Sequence, residues 1–191
     1  MCGRYQFSTA VNRALEALAR RLERSTGTRP QTGDVAPSSS ALIVVQGAAG
    51  PKVCLRTWGW TGQNGQIINA RAETVTEKPL FRDNFARHRC VIPASSFYEW
   101  DGARHPYRFA LAGEPLYLAG ICNAEGRFVI LTTAPNGCMR PIHDRMPLIL
   151  RPEEVRPWLG DTGAALALLG KIPPELSRES LDGQLRLDEL A

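Results

Sequence analysis

The sequence predicts a single α+β domain with a largely antiparallel, barrel-like β-sheet core and a few peripheral helices. Short apolar runs with strand character are numerous, and Gly, Pro and Asn separate them. Helical periodicity is confined to one early and two late segments, so strands and helices do not alternate as βαβ repeats require. We therefore expect one domain over residues 1–191, with residues 170–191 as a less well defined C-terminal segment.

The first predicted element is an amphipathic helix over residues 10–24. Its apolar positions recur at helical spacing: Val11, Leu15, Leu18 and Leu22. Ser8 and Thr9 precede it and are residue types that cap helices. Residues 25–40 are rich in Gly, Pro, Ser and Thr and predict a loop.

Eight strands and two helices are predicted after that loop. The strands fall at residues 41–45, 52–60, 90–93, 97–100, 107–111, 116–122, 128–133 and 147–150. The helices fall at residues 152–159 and 164–169.

Composition indicates an ordinary soluble protein of 191 residues, with 43% hydrophobic and 22% charged residues. No run approaches the roughly 20 apolar residues of a membrane span. Arg4, Arg13 and Arg20 interrupt the region where a secretory signal needs an apolar core. We expect a cytoplasmic protein that does not bind membranes.

Five cysteines, at positions 2, 54, 90, 122 and 138, are widely spaced and include no C-x-x-C pair, and the chain has three histidines. Neither a disulfide framework nor a metal site is predicted, and we expect reduced thiols. The net charge is +4, and residues 1–30 hold six arginines against two glutamates. This asymmetry fits either a face for an anionic partner such as nucleic acid or a solvated helix surface.

Cys2 is the most informative residue of the chain. If Met1 is removed, Cys2 carries an α-amine and a thiol on adjacent carbons, which together can close a five-membered thiazolidine ring on an aldehyde. Near neutrality both groups are partly nucleophilic, because the pKa of an α-amine is about 7.7 to 8.0 and that of a thiol about 8.5. The alternative is that Cys2 is a small buried hydrophobic residue.

Three further polar clusters lie at the ends of predicted strands, where active sites are usually assembled. They are residues 69–74, 97–100 and 142–147, and they contain Asn69, Glu99 and His143. The first cluster is too polar for a buried strand. Each residue also has a structural explanation: a turn for Asn69, a solvent-facing strand position for Glu99, and a hydrogen-bonded loop for His143.

Together and in this order, the clusters resemble the SOS-response-associated peptidase (SRAP) family of abasic-site processing proteins. The matching stretches are residues 1–5, 35–37, 58–59, 69–74, 78–82, 89–94, 97–100, 119–120, 132–134 and 143–147. Two departures stand out. Ser96 replaces a glycine that is usual in the family, and the family's C-terminal pattern is not recognisable in residues 170–191.

The resemblance implies that the protein binds abasic sites in single-stranded DNA and links to them through Cys2 as a thiazolidine, once Met1 is gone. It implies that Glu99 donates the proton that opens the abasic sugar to its aldehyde. This needs a raised pKa, which we expect from burial among Phe97, Tyr98 and Trp100. The Cys2 amine then forms a Schiff base and the thiolate closes the ring.

The resemblance also implies roles for residues around Cys2. Asn69 orients Cys2 and the sugar, and His143 moves protons during imine formation or strand cleavage by β-elimination. The implied DNA contacts are Arg4, Pro37, Trp58, Arg71, Arg82, Trp100, Thr133 and Arg145. In this set guanidinium groups meet phosphates, and the two tryptophans stack on bases. Met1 is removed either by autoproteolysis or by an aminopeptidase.

We expect a monomer without cofactor or metal, associated with the nucleoid on damaged DNA. Two other functions remain open on the sequence. An N-terminal-nucleophile glutamine amidotransferase also begins Met-Cys-Gly, and Asn64-Gly65 faintly resembles its asparagine-glycine loop. Such an enzyme needs a His and an Arg beside a later strand to hold the glutamine carboxylate, and no such pairing occurs in the expected context between residues 60 and 100. A non-catalytic single-stranded DNA binding module would use the basic and aromatic residues without Cys2.

Overall fold

The computed structural model describes residues 2–10, 12–63 and 65–182. Its strands are β1 (Arg4–Phe7), β2 (Gly33–Val35), β3 (Ser40–Gly47), β4 (Gly50–Trp58), β5 (Trp60–Gly62), β6 (Gly65–Ile67), β7 (Asn69–Arg71), β8 (Arg89–Ala94), β9 (Ser96–Trp100), β10 (Pro106–Ala110), β11 (Leu116–Cys122), β12 (Arg127–Thr133), β13 (Met146–Pro147), β14 (Ile149–Leu150) and β15 (Ser177–Ser180). Its helices are α1 (Arg13–Thr26), α2 (Pro79–Arg87), α3 (Val155–Gly160) and α4 (Thr162–Leu169), with 3₁₀ turns at Ala72–Thr74 and Pro152–Glu154.

Five strands close into a barrel, because each pairs with the next around a ring in the order β12, β4, β3, β8, β11 and back to β12. The β4–β12 pair is parallel and the other four pairs are antiparallel. All six residues of β8 are buried, as a strand covered on both faces should be. The predicted α+β class with a largely antiparallel, barrel-like sheet is confirmed.

A second sheet has the order β15, β10, β9, β1, β2, and it carries the start of the chain. The first strand, β1, lies between β9 and β2, with Tyr5 opposite both Phe97 and Val35. Tyr5 and Phe97 are buried, so the N-terminal segment is anchored in the core. This pairing brings Cys2 to the end of β9.

The first helix differs from its predicted bounds by three residues at its start and two at its end. Its N-cap is Asn12, whose side-chain oxygen accepts hydrogen bonds from the backbone N–H groups of Ala14 and Leu15, rather than Ser8 or Thr9. The helix ends at Gly27, where a φ of 74° favours glycine. Leu15 and Leu22 are buried as the periodicity predicts.

The eight predicted strand regions are all occupied by strands, and both late helices are present. The loop predicted over residues 25–40 is wrong in part, because it contains β2. Residues 69–74 are also more regular than expected: β7 runs beside β12 and is followed by a 3₁₀ turn. The short strand β7 tolerates polar residues because only Ala70 is buried, whereas Arg71 is exposed.

Several expectations concern Met1, Val11, Asn64 or residues 183–191, which lie outside the described residues. Among the described helices, none is both long and apolar enough to cross a bilayer.

Candidate active site

Cys2 is fully buried directly before β1. Its thiol lies 3.8 Å from the carbonyl oxygen of Arg4, to which it donates a weak hydrogen bond. Burial, and after it the negative charge of Glu99, raises the pKa of the Cys2 thiol far above its ordinary value. The thiol is therefore neutral around pH 7 in the absence of DNA.

Asn69 connects the N-terminal segment to the barrel. It is the first residue of β7 and lies opposite Ile130 of β12. Its side-chain Nδ2 donates a hydrogen bond of 3.0 Å to the backbone carbonyl of Cys2. The other side-chain atom, Oδ1, is buried and has no hydrogen-bond partner among the described residues, so it is available to accept one from a ligand.

Glu99 is buried, with 3% of its surface exposed. As strand alternation predicts, it points to the opposite face of β9 from Tyr98 and Trp100, which are partly exposed. The expected solvent-facing alternative is therefore wrong. Of the three aromatic residues expected to desolvate the carboxyl group, Phe97 shares this covered face, whereas Tyr98 and Trp100 point the other way.

Burial raises the pKa of Glu99, and the nearby His143 opposes part of the rise. A carboxyl group with a raised pKa keeps a larger protonated fraction near neutrality, as a general acid requires. The environment needed for proton donation is therefore present.

His143 lies next to this carboxyl group. Its Nε2 is 3.8 Å from Oε1 of Glu99, and its Nδ1 accepts a hydrogen bond of 3.0 Å from the backbone N–H of Arg145. The carboxylate of Asp144 is also 2.8 Å from Nδ1. In the neutral ring the Arg145 N–H needs an unprotonated Nδ1, which leaves the proton on Nε2 facing Glu99. In the charged ring Nδ1 can donate to Asp144 instead, so His143 has partners in both protonation states.

Arg4 and Trp100 form a mixed cationic and aromatic surface beside the buried groups. The Arg4 guanidinium lies 5.5 Å from the centre of the Trp100 ring and 3.8 Å from a carboxylate oxygen of Asp34. Asp34 also accepts a hydrogen bond of 3.1 Å from the Tyr98 hydroxyl. Arg4 is exposed and its partner Asp34 is half-exposed, so a phosphate can compete for the guanidinium.

The family model described as SOS response associated peptidase (SRAP) matches residues 1–180. The chain belongs to the SRAP family. Among its relatives, the abasic site processing protein YoaM of Bacillus subtilis (strain 168) is 33% identical over 179 residues, which are 83% of this chain and 79% of YoaM. The abasic site processing protein YedK of Escherichia coli (strain K12) is 28% identical over 196 residues, 91% of this chain and 88% of YedK.

Solved structures with the same fold are known. A phage-related protein of Bordetella bronchiseptica superposes with a TM-score of 0.75 at 24% identity, over 95% of this chain and 94% of that one. A protein of Bacteroides thetaiotaomicron gives a TM-score of 0.74 at 23% identity, over 97% and 94% of the two chains. These likenesses show the shared fold.

In this SRAP chain Trp58 does not have the open face that base stacking needs. It is fully buried, its ring stacks on Phe128 with a centroid separation of 6.2 Å, and Tyr5 packs against it at 5.4 Å. Its indole N–H donates to the carbonyl of Ile68. The expected base contact of Trp58 is therefore corrected to a core position, whereas Trp100 keeps an exposed part.

The guanidinium of Arg145 was expected to bind DNA phosphates, but in this structure it is bound to other groups of the protein. Its two terminal nitrogens bind both carboxylate oxygens of Glu73 at 2.7 and 2.8 Å, and one of them donates to the Thr132 carbonyl at 2.6 Å. Only 14% of the Arg145 side chain is exposed. In the protein without DNA, Arg145 therefore ties the loop that carries His143 to the 3₁₀ turn that follows Asn69.

The remaining sequence-predicted contacts lie on several elements of the SRAP domain. Arg71 on β7 and Arg82 on α2 are exposed, and Arg82 lies 3.6 Å from the carboxylate of Asp83. Pro37 is partly exposed after β2, and Thr133 is buried at the end of β12.

Sequence reasoning missed the roles of Glu73, Thr132 and Asp34. The partner of Glu73 is Arg145, which is 72 positions away in sequence. The only signal for this pair in the sequence is that Glu73 and Arg145 each lie in one of the polar clusters. Asp34 lies in the expected loop, where nothing marked it as a partner of Arg4. Among the described residues, no group of three or more His, Cys, Asp or Glu side chains is arranged to hold a metal ion.

Proposed function

We propose that this protein processes abasic sites in single-stranded DNA by forming a covalent thiazolidine crosslink through Cys2 after removal of Met1. The observation that carries the proposal is the convergence of three groups on one buried cysteine. Asn69 binds the Cys2 carbonyl, Glu99 raises the pKa of the Cys2 thiol, and His143 lies beside Glu99. The names of the relatives as abasic site processing proteins support the substrate.

Ring opening is the first chemical step. An abasic deoxyribose is mostly a closed hemiacetal, so a proton must reach the ring oxygen as the aldehyde forms. Glu99 donates this proton, because burial raises its pKa and keeps part of it protonated. In its charged form, with Nδ1–H donating to Asp144, His143 returns the Nε2 proton to the Glu99 carboxylate and becomes a neutral imidazole.

Crosslinking then follows at the aldehyde carbon. The Cys2 α-amine attacks, water leaves, and a Schiff base forms. The thiol loses its proton and adds to the same carbon, which closes the five-membered ring. The thiol becomes more acidic as Glu99 is protonated, because the negative charge of Glu99 is one of the causes that raise its pKa.

A surface of Arg4, Trp100, Arg71 and Arg82 holds the strand. Arginine groups bind phosphates, and the exposed part of Trp100 offers a face to one base, a contact typically worth about 1 to 3 kcal/mol without sequence preference. Stacking of this kind needs an unpaired base, which favours single-stranded DNA. We place this activity in the cytoplasm on damaged nucleoid DNA, with a monomer as the active form.

Removal of Met1 is a precondition, because an acylated Cys2 nitrogen cannot form a Schiff base. We propose that the Cys2 thiol attacks the Met1 carbonyl carbon and forms a thioester, that Glu99 protonates the departing α-nitrogen as the C–N bond breaks, and that water then hydrolyses the thioester and releases Met1. This step accounts for the peptidase name of the family. A purified translation system without aminopeptidase tests this step. Wild type should lose Met1 there, and Cys2→Ala should keep it. Met1 retained in both proteins would assign the step to an aminopeptidase.

The crosslinking proposal is tested by incubating processed protein with a single-stranded oligonucleotide that bears one abasic site. Wild type should give a heat-stable, denaturant-resistant shifted band, and Cys2→Ala should give none. Cys138→Ala is the matched control and should behave as wild type. For Glu99→Gln we expect slowed crosslinking with DNA binding nearly intact. If Glu99→Gln weakens DNA binding but leaves the rate of crosslinking unchanged, Glu99 is not the proton donor.

A further inference from the structure

A second thiol cluster lies in the barrel, away from Cys2. Cys90 is on β8 and Cys122 ends β11, and both are free thiols in a part of the molecule that DNA processing does not use. Gly120 of β11 pairs with Cys90, so Cys122 lies two residues further along on the same face. A Cβ atom at Gly120 would stand 3.0 Å from the Cys90 sulfur. Glycine at position 120 therefore leaves the space that the Cys90 sulfur occupies, on the face of β11 that also carries Cys122.

Cys54 and a pair of cations share this face. The register pairs Cys90 with Val45 and Val45 with Lys52, which places Lys52, Cys54 and Arg56 of β4 on the same side of the barrel wall. Cys122 also lines a cavity of about 290 Å³ whose wall includes Lys52, Arg56 and Arg87. Small solutes can therefore reach Cys122, while Cys90 behind it is fully buried.

The electrostatics of the two thiols differ. A hydrogen bond from the Cys90 thiol, together with the positive charge of Arg56, lowers the pKa of Cys122 below its ordinary value, although burial opposes the shift. Burial raises the pKa of Cys90 well above its ordinary value. Of the two thiols, Cys122 therefore loses its proton more readily and Cys90 is the one that retains it.

We propose that Cys122 is a peroxide-reactive thiol and that Cys90 is its resolving partner. The Cys122 thiolate attacks one oxygen of a hydroperoxide, which forms an S–O bond, breaks the O–O bond and releases hydroxide or alkoxide. The sulfur is oxidised to a sulfenic acid and the peroxide is reduced. The Cys90 sulfur then attacks Cys122, which forms the S–S bond, breaks the S–O bond and releases water with the Cys90 proton.

The two reactions use different thiols on opposite sides of β12. Cys122 lies opposite Phe128 on the β11 side of that strand. Asn69, which binds the Cys2 carbonyl, lies opposite Ile130 on the β7 side. Oxidation at the thiol cluster and crosslinking through Cys2 can therefore be measured separately in one protein.

The experiment uses reduced full-length protein, limiting hydrogen peroxide and a cyclic diketone that traps sulfenic acids, followed by peptide mass spectrometry. Wild type should give a disulfide between the Cys90 and Cys122 peptides that dithiothreitol reverses. In Cys90→Ala the trapped adduct should accumulate at Cys122. Cys138→Ser, which removes a partly buried thiol whose pKa is raised by burial, is the matched control and should keep the disulfide.

Two results would overturn the proposal. One is oxidation spread evenly over the cysteines or appearing first at Cys138. The other is no more adduct at Cys122 in Cys90→Ala than in wild type, with circular dichroism showing that the variant is folded. If Cys90→Ala does not fold, the disulfide map of wild type alone decides, because oxidation that leaves Cys90 and Cys122 unlinked contradicts the resolving step.

Discussion

The side-chain amide of Asn69 donates a 3.0 Å hydrogen bond to the backbone carbonyl of Cys2, across 67 positions of sequence. The bond fixes Cys2 to a strand that pairs with the barrel. In the reaction that we propose, the neutral amide orients Cys2 without competing for the aldehyde. The N-terminal cysteine is thus positioned by the barrel as well as by its own strand.

Replacing Asn69 by Ala should lower the crosslinking rate, and this effect should be larger than the effect on the stability of the fold. A hydrogen bond of this kind contributes about 1 kcal/mol, which corresponds to a loss of about fivefold in rate if it is needed at the transition state. Single-turnover crosslinking with excess protein measures the rate. Asn84→Ala on α2 is the matched control and should react as wild type. Equal rates for both variants would show that the Asn69 bond does not position Cys2.

Replacing Glu99 by Gln should stabilise the folded protein at high pH. Because burial raises the pKa of Glu99 in the folded state, wild type loses stability as pH rises through that pKa. The glutamine side chain does not titrate, so the stability difference should grow with pH and vanish well below the ordinary value of 4.5. Thermal unfolding across this range measures the difference. A Glu99→Gln variant that is less stable than wild type at pH 8 would contradict a buried, desolvated carboxylate.

Replacing Glu73 by Gln should have the opposite pH dependence. Arg145 lowers the pKa of Glu73, so this carboxylate contributes stability above its ordinary pKa and loses it as pH falls through the lowered value. Glu73 is half-exposed, and solvent screening limits the expected loss to about 1 kcal/mol or less. Urea unfolding at neutral and acidic pH measures it. Glu77→Gln is the matched control, and an equal loss there would remove the Arg145 pair as the cause.

Replacing Trp58 should mainly lower the stability of the protein, whereas replacing Trp100 should mainly weaken DNA binding. Trp58→Ala removes a fully buried ring and should cost about 3 to 5 kcal/mol of unfolding free energy. Trp100→Ala removes a partly exposed ring and should leave stability nearly unchanged while weakening binding to single-stranded DNA. Chemical unfolding and fluorescence anisotropy measure the two quantities. A stable Trp58→Ala variant with weak DNA binding would restore Trp58 as a base contact.

Much of the fold follows from local pattern. The strands of the barrel contain long apolar runs such as β11 and β12, and all eight predicted strand regions are occupied. The elements that were missed are short or polar. The strand β7 has three residues and is formed because β12 supplies its hydrogen-bond partners, a contact that no local pattern contains. The helix α2 buries only Phe81 and Phe85, which is too few positions to show helical periodicity.

The candidate site was predictable in its members and less so in its contacts. Cys2, Asn69, Glu99 and His143 were all selected from the sequence, and the structure brings them together. The partners of Arg145 and Trp58 were not predictable, because Glu73 and Phe128 reach them only through the folded barrel. Local sequence does not distinguish an exposed arginine from one whose guanidinium is already bound to a carboxylate. Nor does it distinguish a tryptophan in the core from one that stacks on a base.

The mass of the DNA-protein conjugate tests the central claim most directly. Processed protein and an abasic single-stranded oligonucleotide should give a conjugate whose mass is the sum of the protein without Met1 and the oligonucleotide, less one water, with the modification on the N-terminal Cys2 peptide. Cys2→Ala should give no such conjugate. A conjugate attached at any other residue, or formed equally by Cys2→Ala, would contradict the thiazolidine mechanism.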